Sequence, residues 1–131
     1  MAKLAKLLVD TGPIIRHLRG HQQTVRLLRG LGRIERISIS VVTRLEIHAG
    51  MHPDERYQTQ KLLSRFVTID LTASIADRTG DLMRSLQQAG QGISVPDAII
   101  ATTALTHRLT LVTHNQAHFA IVPGLSLYPF S

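Results

Sequence analysis

Three acidic residues of this 131-residue chain stand at comparable points of its hydrophobic pattern. Leu7-Leu8-Val9 reads as a short buried strand that stops at Asp10, and Pro13 follows where a first helical turn would begin. Glu46 lies one turn into the helical stretch after the alternating run Ile37 to Val41, and Asp97 opens the uncharged run from Ala98 to Leu105. In a parallel sheet with helical crossovers such positions fall at the carboxyl ends of strands, where open α/β sheets gather their ligands. Carboxylates drawn close together in a cleft cannot all stay ionised unless a cation neutralises them. The natural occupant is therefore a hard divalent ion held by oxygen, with Mg²⁺ or Mn²⁺ the expected choice. Such an ion binds phosphate oxygens, lowers the pKa of a bound water and stabilises a leaving oxygen, which is phosphoryl-transfer chemistry.

Each acid also has a plain structural use. Thr43-Arg44-Leu45-Glu46 matches a capping box, Ser94-Val95-Pro96-Asp97 is a looser form of it, and Asp10 suits the cap of its own helix. Acids near helix N-termini are favoured by the macrodipole whatever the function. It is the shared placement of all three that points to a site.

The elements that must position them alternate in type. Strands are predicted at Leu7 to Val9, Ile37 to Val41, Val67 to Leu71, Leu109 to Thr113 and, as an edge strand, Leu125 to Tyr128. Between them, Ile14, Ile15 and Leu18, then Val25 and Leu28, suit two short helices broken near Gly20 and ended by Gly30 and Gly32. Thr43 to Ala49 reads as a helix ended by Gly50, and His52-Pro53-Asp54 starts another that carries Leu62, Leu63 and Phe66 inward. Thr72 suits the N-cap of a longer helix stopped by Gly90, and the helix from Ala98 has no charge on any face, so it should be buried nearly all round. Strand and helix in alternation with no hairpin signal predict a three-layer α/β/α fold around a mainly parallel sheet of about five strands, one domain spanning residues 1–131.

Charge is unevenly spread over this frame. The net charge is +6, and Thr11 to Leu45 accounts for all of it, with Arg16, Arg19, Arg26, Arg29, Arg33, Arg36 and Arg44 against Glu35 alone. A cationic segment beside an acidic site suits a polyanion such as nucleic acid; an acidic protein would fit it equally, and a solvated helical face is the ordinary alternative. No apolar run approaches the ~20 residues of a membrane span, Leu7 to Val9 is too short for a signal-peptide core, and there is no cysteine for disulfides, thiolate sites or nucleophiles. A cytoplasmic location, with no membrane partner, is the expectation.

Leu8-Val9-Asp10-Thr11, Leu45-Glu46-Ile47-His48-Ala49-Gly50, Pro96-Asp97-Ala98-Ile99-Ile100-Ala101-Thr102-Thr103-Ala104-Leu105 and Leu111-Val112-Thr113-His114-Asn115, with Phe119 and Pro123-Gly124-Leu125 after them, resemble the PIN domain in order and spacing. Most closely they resemble VapC toxins of VapBC toxin-antitoxin systems, from end to end of the chain. The resemblance implies a Mg²⁺- or Mn²⁺-dependent endoribonuclease, usually a homodimer, silenced by a VapB-type antitoxin. It implies Asp10 and Asp97 as direct metal ligands, Glu46 completing the shell directly or through water, and Thr11 and Thr113 as hydroxyls that brace the carboxylates or touch phosphate. The family often has a fourth acid where this chain has Asn115, or an aspartate before the phenylalanine where it has His118. Asn115 can still offer its carbonyl but adds no charge, so catalysis with one metal is expected. His114 and His118 would then stand on the rim of the site, where they could contact RNA phosphate together with Arg16, Arg26, Arg29, Arg33 and Arg44.

Other readings compete. Asp10-Thr11-Gly12 also matches aspartic proteases, which need a mostly β protein and two such loops. His17/His21, His48/His52 and His114/His118 stand at the i,i+4 spacing of zinc pairs, although the first two span the helix breakers Gly20 and Gly50. Asp77 and Asp81 suit a solvated helix face. A PIN-fold protein that binds RNA without cutting it is the alternative function. Aromatic partners for unstacked bases are few, namely Tyr57, Tyr128, Phe66, Phe119 and Phe130.

Overall fold

The computed structural model describes residues 6–129, so Phe130 lies outside the described residues. Five strands, β1 (Lys6–Val9), β2 (Arg36–Ser40), β3 (Val67–Ile69), β4 (Thr110–Val112) and β5 (Ser126–Leu127), form one sheet in the order β3-β2-β1-β4-β5. Every neighbouring pair is parallel. The helices are α1 (Thr11–Leu18), α2 (Gln22–Ile34), α3 (Val41–Gly50), α4 (Arg56–Leu63), α5 (Ala73–Gln88), α6 (Val95–His107) and α7 (Gln116–Phe119). A 3₁₀ turn over Pro53–Glu55 leads into α4.

Alternation along the strands divides the core in two. Leu7, Val9, Ile37, Ile39 and Val112 pack with Ile14, Leu28, Leu31 and Leu63 on one face of the sheet. Leu8 and Leu111 pack with Ile100, Ala101, Ala104 and Phe119 on the other. Both faces are thus covered by helices, as parallel sheets require. The uncharged helix α6 is buried from Ala98 to Ala104, as its composition predicts. Its end is turned by Arg108, a non-glycine residue in the left-handed region at φ 56°.

Strands β3, β4 and β5 are each shorter than the sequence reading by two residues and α6 starts earlier, at Val95, and two further boundaries depart for a visible reason. Helix α2 runs through Gly30 and Gly32 to Ile34 instead of ending there. Two glycines inside a helix cost about 2 kcal/mol together, but Leu28 and Leu31 are buried against the sheet by that same segment, and their burial holds the helix together. Strand β2 ends at Ser40, not Val41, because the Val42 N–H donates to Ser40 Oγ at 3.0 Å and starts α3 there. Ser40 is therefore the cap that Thr43 was expected to provide. Thr43 lies fully buried inside the helix instead, and no capping box joins it to Glu46.

Strand order decides where a site can form. From β1 the chain builds β2 and β3 on one side, then crosses to β4 and β5 on the other. The switch point lies between the carboxyl ends of β1 and β4, the crevice where such sheets bind ligands. Asp10 follows one of those strands and Thr113 the other, and the Asp10 N–H donates to the Val112 carbonyl at 2.9 Å across the gap.

Candidate active site

Asp10 is the N-cap of α1, and the Thr11 N–H donates to its Oδ1 at 2.8 Å. The Thr113 hydroxyl, fully buried, donates to Oδ2 at 2.7 Å and accepts the Asn115 N–H at 3.0 Å. Both carboxylate oxygens are oriented, and each keeps lone-pair capacity for another partner. The cap reading and the site reading of Asp10 therefore hold at once. Burial leaves the carboxyl 7% exposed. That burial pushes its pKa above the ordinary carboxylate value, and Asp97 and Glu46 push it further in the same direction, against the two hydrogen bonds.

Glu46, half-buried on α3, receives the Thr11 hydroxyl on Oε1 at 2.8 Å, and Thr11 Oγ1 also meets Thr43 Oγ1 at 3.0 Å. Asp97 stands in the first turn of α6, where its N–H donates to the N-cap Ser94 Oγ at 3.3 Å. Its carboxylate faces outward and accepts His118 Nε2–H at 2.9 Å. The ring of His118 is set edge-on to Phe119, with centroids 5.6 Å apart. So Asp10, Glu46, Asp97, Thr11, Thr113 and His118 converge on the switch point, and Asn115 stands exposed beside it as the residue before α7.

The arginines do not form one stripe. Arg16 shares a cavity with His21 and His114 next to this site. Arg29 and Arg33 of α2 line a larger cavity of about 550 Å³ with Arg36, Arg65, Leu62 and Phe66. Because Arg36 and Val67 open β2 and β3, that cavity lies at the opposite end of the sheet from Asp10. His17 belongs to it, its pKa lowered by burial and by Arg65 and Arg29. Arg44 donates to Thr68 Oγ1 at 3.3 Å, Arg19 pairs with Glu55 at 2.9 Å, and Arg26 is exposed on α2. A linear run of arginines on successive elements is dispersed once the elements pack.

The zinc pairs separate in the same way. His17 is in α1 while His21 caps α2, accepting the Thr24 N–H, and His48 closes α3 while His52 precedes the 3₁₀ turn. His114 and His118 divide between the cavity and Asp97. Asp81 pairs with Arg84 at 2.9 Å on the exposed face of α5. The protease reading fails on the fold, which is helical between every pair of successive strands.

Sequence reasoning passed over Thr43 and Gln116. Thr43 stands one turn before Glu46 and shares its face, a spacing that the capping-box reading absorbed. Gln116 Nε2 donates to the carbonyls of Thr113 and Tyr128, each at 2.9 Å, and so ties the end of β4 to the residue after β5. Nothing local marks it.

Oxygen donors predominate, with one imidazole at the edge, which is a set for a hard divalent cation. Among the described residues no group of three His, Asp or Glu side chains forms a ready-made metal cage.

Comparison with known proteins decides the family. The sequence matches the PIN domain over residues 7–125. The chain belongs to the PIN-domain family. This PIN domain is 36% identical to Ribonuclease VapC10 of Mycobacterium tuberculosis, over 91% of this chain and 90% of that protein. It is 34% identical to Ribonuclease VapC19 of the same organism, over 90% of this chain and 95% of the relative. Among solved structures it resembles VapBC2 from Rickettsia felis bound to a DNA fragment from their promoter, with a TM-score of 0.85 and 27% identity over 96% of this chain and 99% of that one. The α/β/α fold with its parallel five-stranded sheet is thus the fold of VapC proteins. No described helix is long and apolar enough to cross a membrane.

Proposed function

We propose that this PIN domain is a VapC-type endoribonuclease that hydrolyses RNA phosphodiester bonds at the Asp10–Glu46–Asp97 cluster. The observation that carries the reading is the convergence of three carboxylates on one switch point, with the Asp10 pKa raised by burial first and then by the charges of Asp97 and Glu46. Mg²⁺ or Mn²⁺ is the cofactor we assign. Asp10 and Asp97 would hold it and Glu46 would complete the shell; bound there, it would offset the carboxylate charge and act as a Lewis acid on the phosphodiester oxygens. Thr113 and the Thr11 N–H keep Asp10 ionisable and aimed by donating to both its oxygens. Thr11 holds Glu46 within reach of a proton on the attacking water, and Asn115 offers a neutral amide at the rim. Likeness to VapBC2 supports silencing by a VapB-type antitoxin; action as a homodimer in the cytoplasm is part of the same proposal.

Purified protein incubated with total RNA cuts it with Mg²⁺ or Mn²⁺, stops in EDTA, and loses activity as Asp97→Asn. RNA left intact with both metals makes the domain a non-catalytic RNA binder. Equal cutting by the variant moves the reaction away from this site.

Arg16, Arg26, Arg29, Arg33, Arg44 and His114 are assigned to the polyanion, and His118 to Asp97 first and phosphate second. Neutralising Arg26, Arg29 and Arg33 together lowers the slope of log K against log salt for single-stranded RNA by about 2, at roughly 0.7 for each phosphate no longer neutralised. An unchanged slope returns these three to the solvated face.

A further inference from the structure

A cavity of about 390 Å³ opens past the carboxyl ends of β4 and β5 and is bounded by residues that include Arg16, His21, Gln23, Leu27, His114 and Tyr128. Its walls come from three distant parts of the chain. Arg16 lies on α1, the helix capped by Asp10, and His114 directly follows Thr113, whose hydroxyl holds Asp10. The cavity therefore lies at the same end of the sheet as Asp10. None of the lining residues is acidic. Arg16 brings a full positive charge to it, with His21 and His114 beside that guanidinium, and burial first and then those neighbours lower the His114 pKa toward the neutral ring.

The walls are also held in place. The His21 ring is fixed by Thr24, with Nδ1 2.8 Å from Oγ1. Tyr128 donates its N–H to the Leu111 carbonyl at 2.8 Å, and its own carbonyl accepts Gln116 Nε2. Its ring packs partly on the core and partly on the cavity. The volume falls at the small end of ligand pockets, enough for one nucleotide and too little for a stacked pair.

We infer that this cavity is a nucleotide subsite, in which Arg16 takes a backbone phosphate of the bound strand, Tyr128 supports the base and Gln23 reads its edge. The inference rests on the ribonuclease reading and specifies its substrate as single-stranded RNA with one base turned out of its stack. In a duplex that base stays paired and stacked, where neither the ring nor the amide reaches it. An acidic peptide would satisfy Arg16 but leave the aromatic wall and the amide unused, so RNA is the occupant these residues favour.

The test measures binding with cleavage disabled, using Asp97→Asn protein and a fluorescein-labelled random-sequence RNA followed by anisotropy, single-stranded and annealed to its complement. Single strands bind in preference to duplex. Tyr128→Leu, which keeps the apolar packing, weakens binding about tenfold, the scale of one base–aromatic stack. Tyr128→Phe restores it, and Arg16→Gln reduces the salt slope by roughly 0.7. Thermal melts confirm that each variant is folded. Affinity unmoved by Tyr128→Leu, equal binding of duplex, or preference for a polyglutamate peptide over RNA overturns the subsite. Wild-type protein that neither binds nor cuts RNA removes the ribonuclease reading itself, a result distinct from any of these.

Discussion

Replacing Asp10 by asparagine lowers RNA cleavage by about 10³-fold or more and at the same time raises the melting temperature at neutral pH. The two effects share one cause. Asparagine keeps the shape of the side chain and can still accept the Thr11 N–H, so the cap of α1 survives. What disappears is a negative charge that is buried, and that Asp97 and Glu46 also repel. The same charge is the one the proposed cation needs.

The sign of the pH dependence follows. The folded chain holds the Asp10 proton more tightly than the unfolded chain, whose value is near 3.8. Wild-type stability therefore falls as pH rises from that value through the raised folded one, and the loss is complete above it. The variant has no such proton, so its advantage in melting temperature opens across that window and then stays level. Circular-dichroism melts from acid to neutral pH without divalent metal, beside an RNA cleavage assay with it, provide both readouts. A variant that melts lower than wild type at neutral pH would make Asp10 a stabilising cap first; one that still cuts RNA would remove it from the chemistry.

Phe119→Ala destabilises the protein by about 3–5 kcal/mol, the usual cost of emptying a fully buried phenylalanine site. Phe119 is wholly buried with Leu8, Ile100, Leu111 and Val122. It anchors α7, a helix of only four residues that cannot hold itself together by its own hydrogen bonds. His118 rides on that helix, so the loss reaches Asp97 through the 2.9 Å hydrogen bond between them. Urea titration gives the stability. RNA cleavage below the unfolding transition falls more than the folded fraction does, because the folded molecules also lose the hold on Asp97. Unchanged activity in the folded fraction would show that His118 contributes nothing to the position of that carboxylate. A stability loss below about 1 kcal/mol would mean that the core closes over the missing ring.

Much of this could be read from local patterns. The buried helix α6 announces itself by eight residues without a charge, and the five strands by short apolar or alternating runs. The helix that ignores two glycines and the strand that ends one residue early could not be read so, because packing of Leu28 and Leu31 and the Ser40 cap decide them. The arginines show the same division. Seven of them in thirty-five residues are plain in the sequence, whereas their division between two cavities at opposite ends of the sheet depends on how α1, α2 and α4 pack.

The three acids that opened the sequence analysis mark the limit most clearly. That each would stand near the start of a helix was determined by the chain itself, since hydrophobic period and cap chemistry act over a few neighbouring residues. Only the tertiary structure set β1 beside β4, and so brought the Thr113 hydroxyl to Asp10 from 103 residues away, Thr11 to Glu46 and His118 to Asp97. Local periodicity states which face of an element is buried. Which remote element covers that face, and which hydroxyl or imidazole then meets a given carboxylate, is settled by packing and has no periodic trace in the sequence.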